Sequence, residues 1–176
     1  MNFKEFYLAC EDVEQSEEDR KSARKDCNTN PTEDQKISGN YKKGHFSWQG
    51  LGITIENPKG STRSGQDKSG KKWSIKMQSD YGYFKKTESE SDQDHIDVFV
   101  GPDLSSEIVF IVDQVVNGKW DEHKTVIGVK NEEEAKVVYF ANYEKNWKGF
   151  AGITPMTLDD FKDWLFNGDT SKALSN

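Results

Sequence analysis

The sequence predicts an α+β chain, mainly β, with an N-terminal helical arm, a compact β-barrel or tightly coiled sheet, and two helices closing the chain. Three observations carry this prediction. Apolar residues recur at helical spacing at the start, aromatic and β-branched residues come in short bursts between Gly-rich turns from Tyr41 onward, and two capped helical patterns end the chain.

The elements follow in order. Residues 1–26 read as a helix, with Asn2 as its cap and Glu5 reaching back. Phe3, Phe6, Tyr7, Cys10 and Val13 form its apolar stripe, which fades into EQSEEDRKSARKD, the pattern of a charged surface helix. Residues 27–40 (CNTNPTEDQKISGN) carry Asn-Pro and Ser-Gly breakers and read as a linker, so residues 1–40 form an arm and 41–176 a body. HFSWQ, LGITIEN, KKWSIKM, YGYFKK, HIDVFVG, EIVFIVDQVV and HKTVIGV read as strands. PKGSTRSGQDKSGK, SESDQ, GPDLSS and NGKWD separate them. In NEEEAKVVYFANYEKNW, Asn131 caps a helix; in TLDDFKDWLFNG, Thr157 caps, Leu158, Phe161, Trp164 and Leu165 face inward, and Gly168 stops it.

Composition narrows the function. The 176 residues suit one domain with an appended arm, and ten Phe, five Trp and six Tyr supply large areas for burial. A formal charge of −7 speaks against nonspecific nucleic-acid binding, which needs a basic footprint. Cys10 and Cys27 form no CxxC pair, so neither a disulfide framework nor a zinc knuckle is supported. Lys4, Glu5, Glu11 and Asp12 interrupt any signal-peptide core. The longest apolar runs, such as Ile108–Val112, are too short to cross a membrane. The expectation is a cytoplasmic chain with no membrane partner.

The chemistry concentrates in SESDQDHIDVFVGP, residues 89–102, which holds Asp92, Asp94 and Asp97 at the mouth of an apolar strand. An extended backbone points Asp92 and Asp94 to one side, and a turn through Gln93-Asp94-His95 brings Asp97 beside them. Three such carboxylates repel by on the order of several kcal/mol unless a divalent cation or shared proton offsets it. All-oxygen ligands favour Mg²⁺ or Mn²⁺ over zinc; a solvated hairpin tip is the alternative. Upstream, Tyr81-Gly82-Tyr83 marks a bulge or a close backbone approach. The segment from Ile55 to Lys76 gathers Lys59, Arg63, Lys68, Lys71, Lys72 and Lys76 in an acidic protein, a cradle for an anionic ligand. Asp121, Glu122 and Lys124 stand together at another strand mouth.

Glu56 at a strand end, Tyr81-Gly82-Tyr83, Asp92-Gln93-Asp94-His95-Ile96-Asp97, the Glu122/Lys124 pair, and Tyr143 with Lys145 on a helix resemble, in order, the soluble (family I) inorganic pyrophosphatases. The similarity runs from about Tyr41 to Trp164, and ENPKGSTRSG and DEHK resemble more closely the pyrophosphatase-like domain of phage and mobile-element proteins. The resemblance implies a five-stranded, OB-like closed barrel with flanking helices, and Mg²⁺-dependent hydrolysis of pyrophosphate or a related phosphoanhydride. By position it implies that Asp92 and Asp97 ligate metal, that Asp94 holds or deprotonates the attacking water, and that Glu56 lies in the outer metal shell. It assigns Tyr81 to the reacting centre, where with Arg63, Lys76, Lys124, Tyr143 and Lys145 it grips phosphate. The sequence departs from the family's D-x-x-x-x-D-x-K, offering Asn117 and Glu122 before Lys124, with Asp121 one residue off register and Asp113 a nearby spare. Glu144 splits the family's Tyr-Lys pair. The alternative is a catalytically weak relative serving a phage or mobile element as an interaction or inhibitor protein. A homo-oligomer, or a protein partner bound through residues 1–40, also stays open.

Overall fold

Helix α1 (Phe3–Asp26) begins as its cap predicts: the Glu5 N–H donates to Asn2 Oδ1 and the Asn2 N–H to Glu5 Oε2, both at 2.9 Å. The computed structural model describes residues 1–85 and 95–175. After α1 come α2 (Glu33–Ser38), β1 (Gly44–Trp48), β2 (Leu51–Asn57), β3 (Thr62–Gln66), β4 (Lys72–Lys76), β5 (Asp80–Phe84), β6 (Ile96–Val100), β7 (Ile108–Val116) and β8 (Lys119–Ile127). The chain ends with α3 (Glu132–Phe140), β9 (Phe150–Thr157) and α4 (Leu158–Asn167). Among the described residues no helix is long and apolar enough to cross a membrane.

Turn chemistry sets the hairpins. Gln49-Gly50 and Asn117-Gly118 each place two consecutive residues at positive φ, the geometry that joins twisted antiparallel strands in two residues. Asn117 is thus a turn former at the tip of β7–β8.

The main sheet has seven strands in the order β1-β2-β5-β6-β8-β7-β9, and β3 pairs with β4 as a separate hairpin. The α+β, mainly β class holds, while the described strands form an open sheet and do not confirm the expected five-stranded closed barrel. Among the described residues β1 pairs only with β2 and β9 only with β7, leaving two edges. The sheet also gains a strand absent from the sequence reading: FAGITPMT, which Gly152 and Pro155 disguise, becomes β9 and extends the sheet beyond β7. Edge strands tolerate proline because one side of their backbone needs no partner.

Apolar clusters cover both faces of the sheet. One joins Trp48, Ile53, Phe84, Val98 and Ile111 to Phe161 and Leu165 of α4. The other joins Tyr81, Phe99, Phe110, Val112 and Val126 to Ala135 and Tyr139 of α3. Alternation along β6 therefore sends Val98 to the first face and Asp97 and Phe99 to the second.

Helix α1 corrects another expectation. Its charged second half is the part that docks, with Arg20 and Ala23 buried, while the apolar stripe of its first half stays largely exposed. Arg20 Nε donates to Asp80 Oδ2 at 2.6 Å, and its Nη1 and Nη2 donate to the Gly101 and Val100 carbonyls at 2.9 Å. Arg24 donates to Asp80 as well, and the Lys59 N–H completes the set at 2.8 Å. These partners hold the buried Asp80 carboxyl below its ordinary pKa against the upward push of desolvation. β1 lies so close to the helix that a Cβ on Gly44 would meet the Ala23 carbonyl oxygen at 1.9 Å.

Candidate active site

Four neighbouring strands and one hairpin build a polar cluster on the α3 side of the sheet. β6 and β8 run parallel with Asp97 opposite Lys124, and β5 runs antiparallel to β6 with Tyr83 opposite Asp97, which sets Tyr81 on the same side two residues away. The Lys124 ammonium donates to Asp97 Oδ2, to Glu122 Oε1 at 3.0 Å and to the Tyr81 hydroxyl at 3.0 Å. Tyr81 in turn donates its O–H to Asp97 Oδ2 at 2.6 Å and accepts from Arg63 Nη2 at 3.1 Å. The Arg63 guanidinium lies over the Tyr81 ring at 4.1 Å and the Trp73 ring at 5.2 Å.

Tyr81 reaches this position because β5 is pressed against β2. A Cβ on Gly82 would stand 1.7 Å from the Thr54 carbonyl oxygen, so the glycine marks a close backbone approach, as its place between two tyrosines predicts.

The electrostatics are those of a charge-balanced cluster, with Lys124 and Tyr81 buried and the Asp97, Glu122 and Arg63 side chains half-buried. Burial opposes the charge on Lys124, but Asp97, Tyr81 and Glu122 outweigh it and hold the ammonium well above its ordinary pKa. Asp97 would be pushed up by burial, yet Lys124, the Tyr81 hydroxyl and Arg63 hold it below the usual carboxylate range. Burial raises the Tyr81 phenol, so it keeps its proton and stays a donor.

The other expected residues lie as follows. Asp92 and Asp94 fall outside the described residues. Glu56 is the extra residue of a β2 bulge and pairs with Lys43 Nζ at 3.0 Å, sharing a cleft of about 260 Å³ with Arg63. Asp121 is the extra residue of a β8 bulge, because Gln114 pairs with Glu122 and Val115 with Trp120. The bulge keeps Trp120 on the side of His123, 5.2 Å between ring centres, and leaves Asp121 exposed beside Glu122. Asp113 is no spare: it pairs across the strands with His123 on the opposite face, where it accepts from the N–H groups of Leu174 and Ser175. Lys76 sits on the outer face of the β3–β4 hairpin, whose inner face carries Arg63, Gly65, Trp73 and Ile75. Tyr143 and Lys145 lie in turns after α3 rather than on it, because Asn142 leaves the helix to bind the Gln78 N–H at 2.8 Å and Ser79 Oγ at 2.8 Å. Lys145 is exposed.

One member was missed in the sequence. Gln114, 2% exposed, accepts from the Tyr139 and Tyr143 hydroxyls at 2.7 and 2.6 Å and donates to Glu122 Oε1 at 3.2 Å. It braces Glu122, and the Tyr143 hydroxyl is engaged there. Its signal was a glutamine inside the apolar run IVFIVDQVV.

The donor set fits a hard cation in kind. Asp97 and Glu122 converge on a single ammonium, so two carboxylates already hold one positive charge between them. Among the described residues no group of three or more potential ligands comes together. Comparison with curated proteins gives no match, and comparison with solved structures gives none. The family model described as inorganic pyrophosphatase matches residues 33–166, well over half of the chain, and so spans every described strand and the whole polar cluster. The chain belongs to the inorganic pyrophosphatase family.

Proposed function

We propose that the chain hydrolyses inorganic pyrophosphate, or a closely related phosphoanhydride, with Mg²⁺ as its metal and Mn²⁺ as a substitute. The observation that carries this reading is that Lys124 and the protonated Tyr81 phenol converge on the half-buried Asp97, with Arg63 donating to the same phenol, within a pyrophosphatase-family domain. Asp97 and Glu122 would hold the metal, joined by Asp92 and Asp121, with Glu56 farther out. Bound Mg²⁺ would supply charge neutralisation and make the attacking water easier to deprotonate.

The chain's own residues do the rest. Arg63 is held between two rings and spends one N–H on Tyr81, leaving its fork to grip a phosphoryl group. Lys124 and the Tyr81 O–H turn from Asp97 toward the leaving phosphate as negative charge develops there. Asp94 would accept the proton of the attacking water. Lys76 and Lys145, both exposed, would close on phosphate at the rim. Positioning and electrostatics suffice for this chemistry, since phosphoryl transfer asks little covalent work of the protein.

The test is phosphate release from pyrophosphate across a magnesium titration, with chelator as the blank. Saturable, metal-dependent release supports the reading. Absence of release from pyrophosphate and from nucleoside triphosphates at every metal concentration overturns it, and favours the catalytically weak interaction protein.

A further inference from the structure

The apolar stripe of α1 is encoded in the sequence but not used by the fold. Phe3, Phe6, Tyr7 and Leu8 are 83, 58, 58 and 49% exposed, although the second half of the same helix is docked. Between this first half, the β1–β2 turn and the segment after β6 lies a groove of about 930 Å³. Its floor is apolar, with Phe6, Ala9, Val13, Trp48 and Leu104, and it is fixed by the Trp48 indole N–H donating to the Leu104 carbonyl at 2.9 Å. Its rim carries Asp12, Glu14, Asp19 and Glu107, and among the described residues no lysine, arginine or histidine lines it.

We infer that this groove docks a basic amphipathic helix of a partner protein, apolar side down and Lys or Arg toward the rim. The size and apolar floor suit a helix laid in a groove, the mode read by anchors three and four residues apart. The rim selects the sign of the partner's charge. A second copy of this chain is a poor occupant: residues 3–19 hold seven acids and one lysine, so the stripe would arrive with the same charge as the rim. The groove shares no lining residue with the Asp97 cluster, so the inference stands apart from the proposed activity.

The probe is a synthetic amphipathic helix with leucine on one face and lysine on the other, titrated calorimetrically into the full chain. Its charge-reversed glutamate version is the control. The expected result is saturable one-to-one binding that weakens about tenfold with Glu14→Gln plus Asp19→Asn, and as much with Phe6→Ser. Asp159→Asn and Glu133→Gln, acids on α4 and α3 outside the groove, leave it unchanged. Equal binding of the charge-reversed peptide, indifference to both groove variants, or a dimer of the chain alone that Phe6→Ser abolishes would each overturn the inference.

Discussion

Replacing Arg20 with methionine removes the main counter-charge of a carboxylate with no solvent exposure. Asp80 is fully buried and Arg20 is 4% exposed, and the guanidinium also satisfies the Val100 and Gly101 carbonyls. Breaking such a pair from one side costs about 3–5 kcal/mol, because the remaining charge stays buried. Arg24 and the Lys59 N–H remain on Asp80 at 2.8 Å, which places the cost near the lower end, about 3 kcal/mol. With a urea slope of roughly 2 kcal/mol/M, the unfolding midpoint falls by about 1.5 M, readable by tryptophan fluorescence at pH 7. In an Asp80→Asn background the same substitution costs about half as much, since the two residues are coupled. A midpoint shift below about 0.3 M in the wild-type background would show that Arg20 does not hold the buried Asp80 charge, and return the second half of α1 to the charged surface helix its sequence suggests.

Further outcomes follow from the same geometry. Gly82→Ala drives a Cβ into the Thr54 carbonyl and costs about 3 kcal/mol or prevents folding, checked by circular dichroism and urea melts. Tyr81→Phe keeps the ring packing but removes the hydroxyl shared by Asp97, Lys124 and Arg63, so the fold survives while phosphate release falls about tenfold or more. Asp80 and Asp97 both have folded pKa values below the ordinary 3.8. Their contribution is therefore fully present above that value and lost as pH falls through the folded values. The urea midpoint should decline below about pH 4, and less steeply in Asp80→Asn; an identical acid decline in that variant contradicts the assignment.

What could be read from the sequence was what local chemistry decides. The α1 cap, the close approach at Gly82, the strands around Tyr81 and Asp97 and the inward face of α4 all rest on residues within a few positions of one another. β3 was illegible because TRSGQ contains no apolar side chain; its inner face is Arg63 and Gly65, and the Trp73 ring fills the place a Cβ on Gly65 would take. β9 was hidden by a proline that only an edge strand accepts. Arg20 looked solvated because its partner lies 60 residues away. Asp113 looked available because only strand register separates its face from that of Lys124.

The proposed role of Asp97 in phosphoanhydride hydrolysis is decided by phosphate release from magnesium pyrophosphate, compared between the wild type and Asp97→Asn with matched circular dichroism. The expected result is turnover in the wild type and a loss of about a hundredfold or more in the variant. Turnover undiminished in a folded Asp97→Asn protein would contradict it.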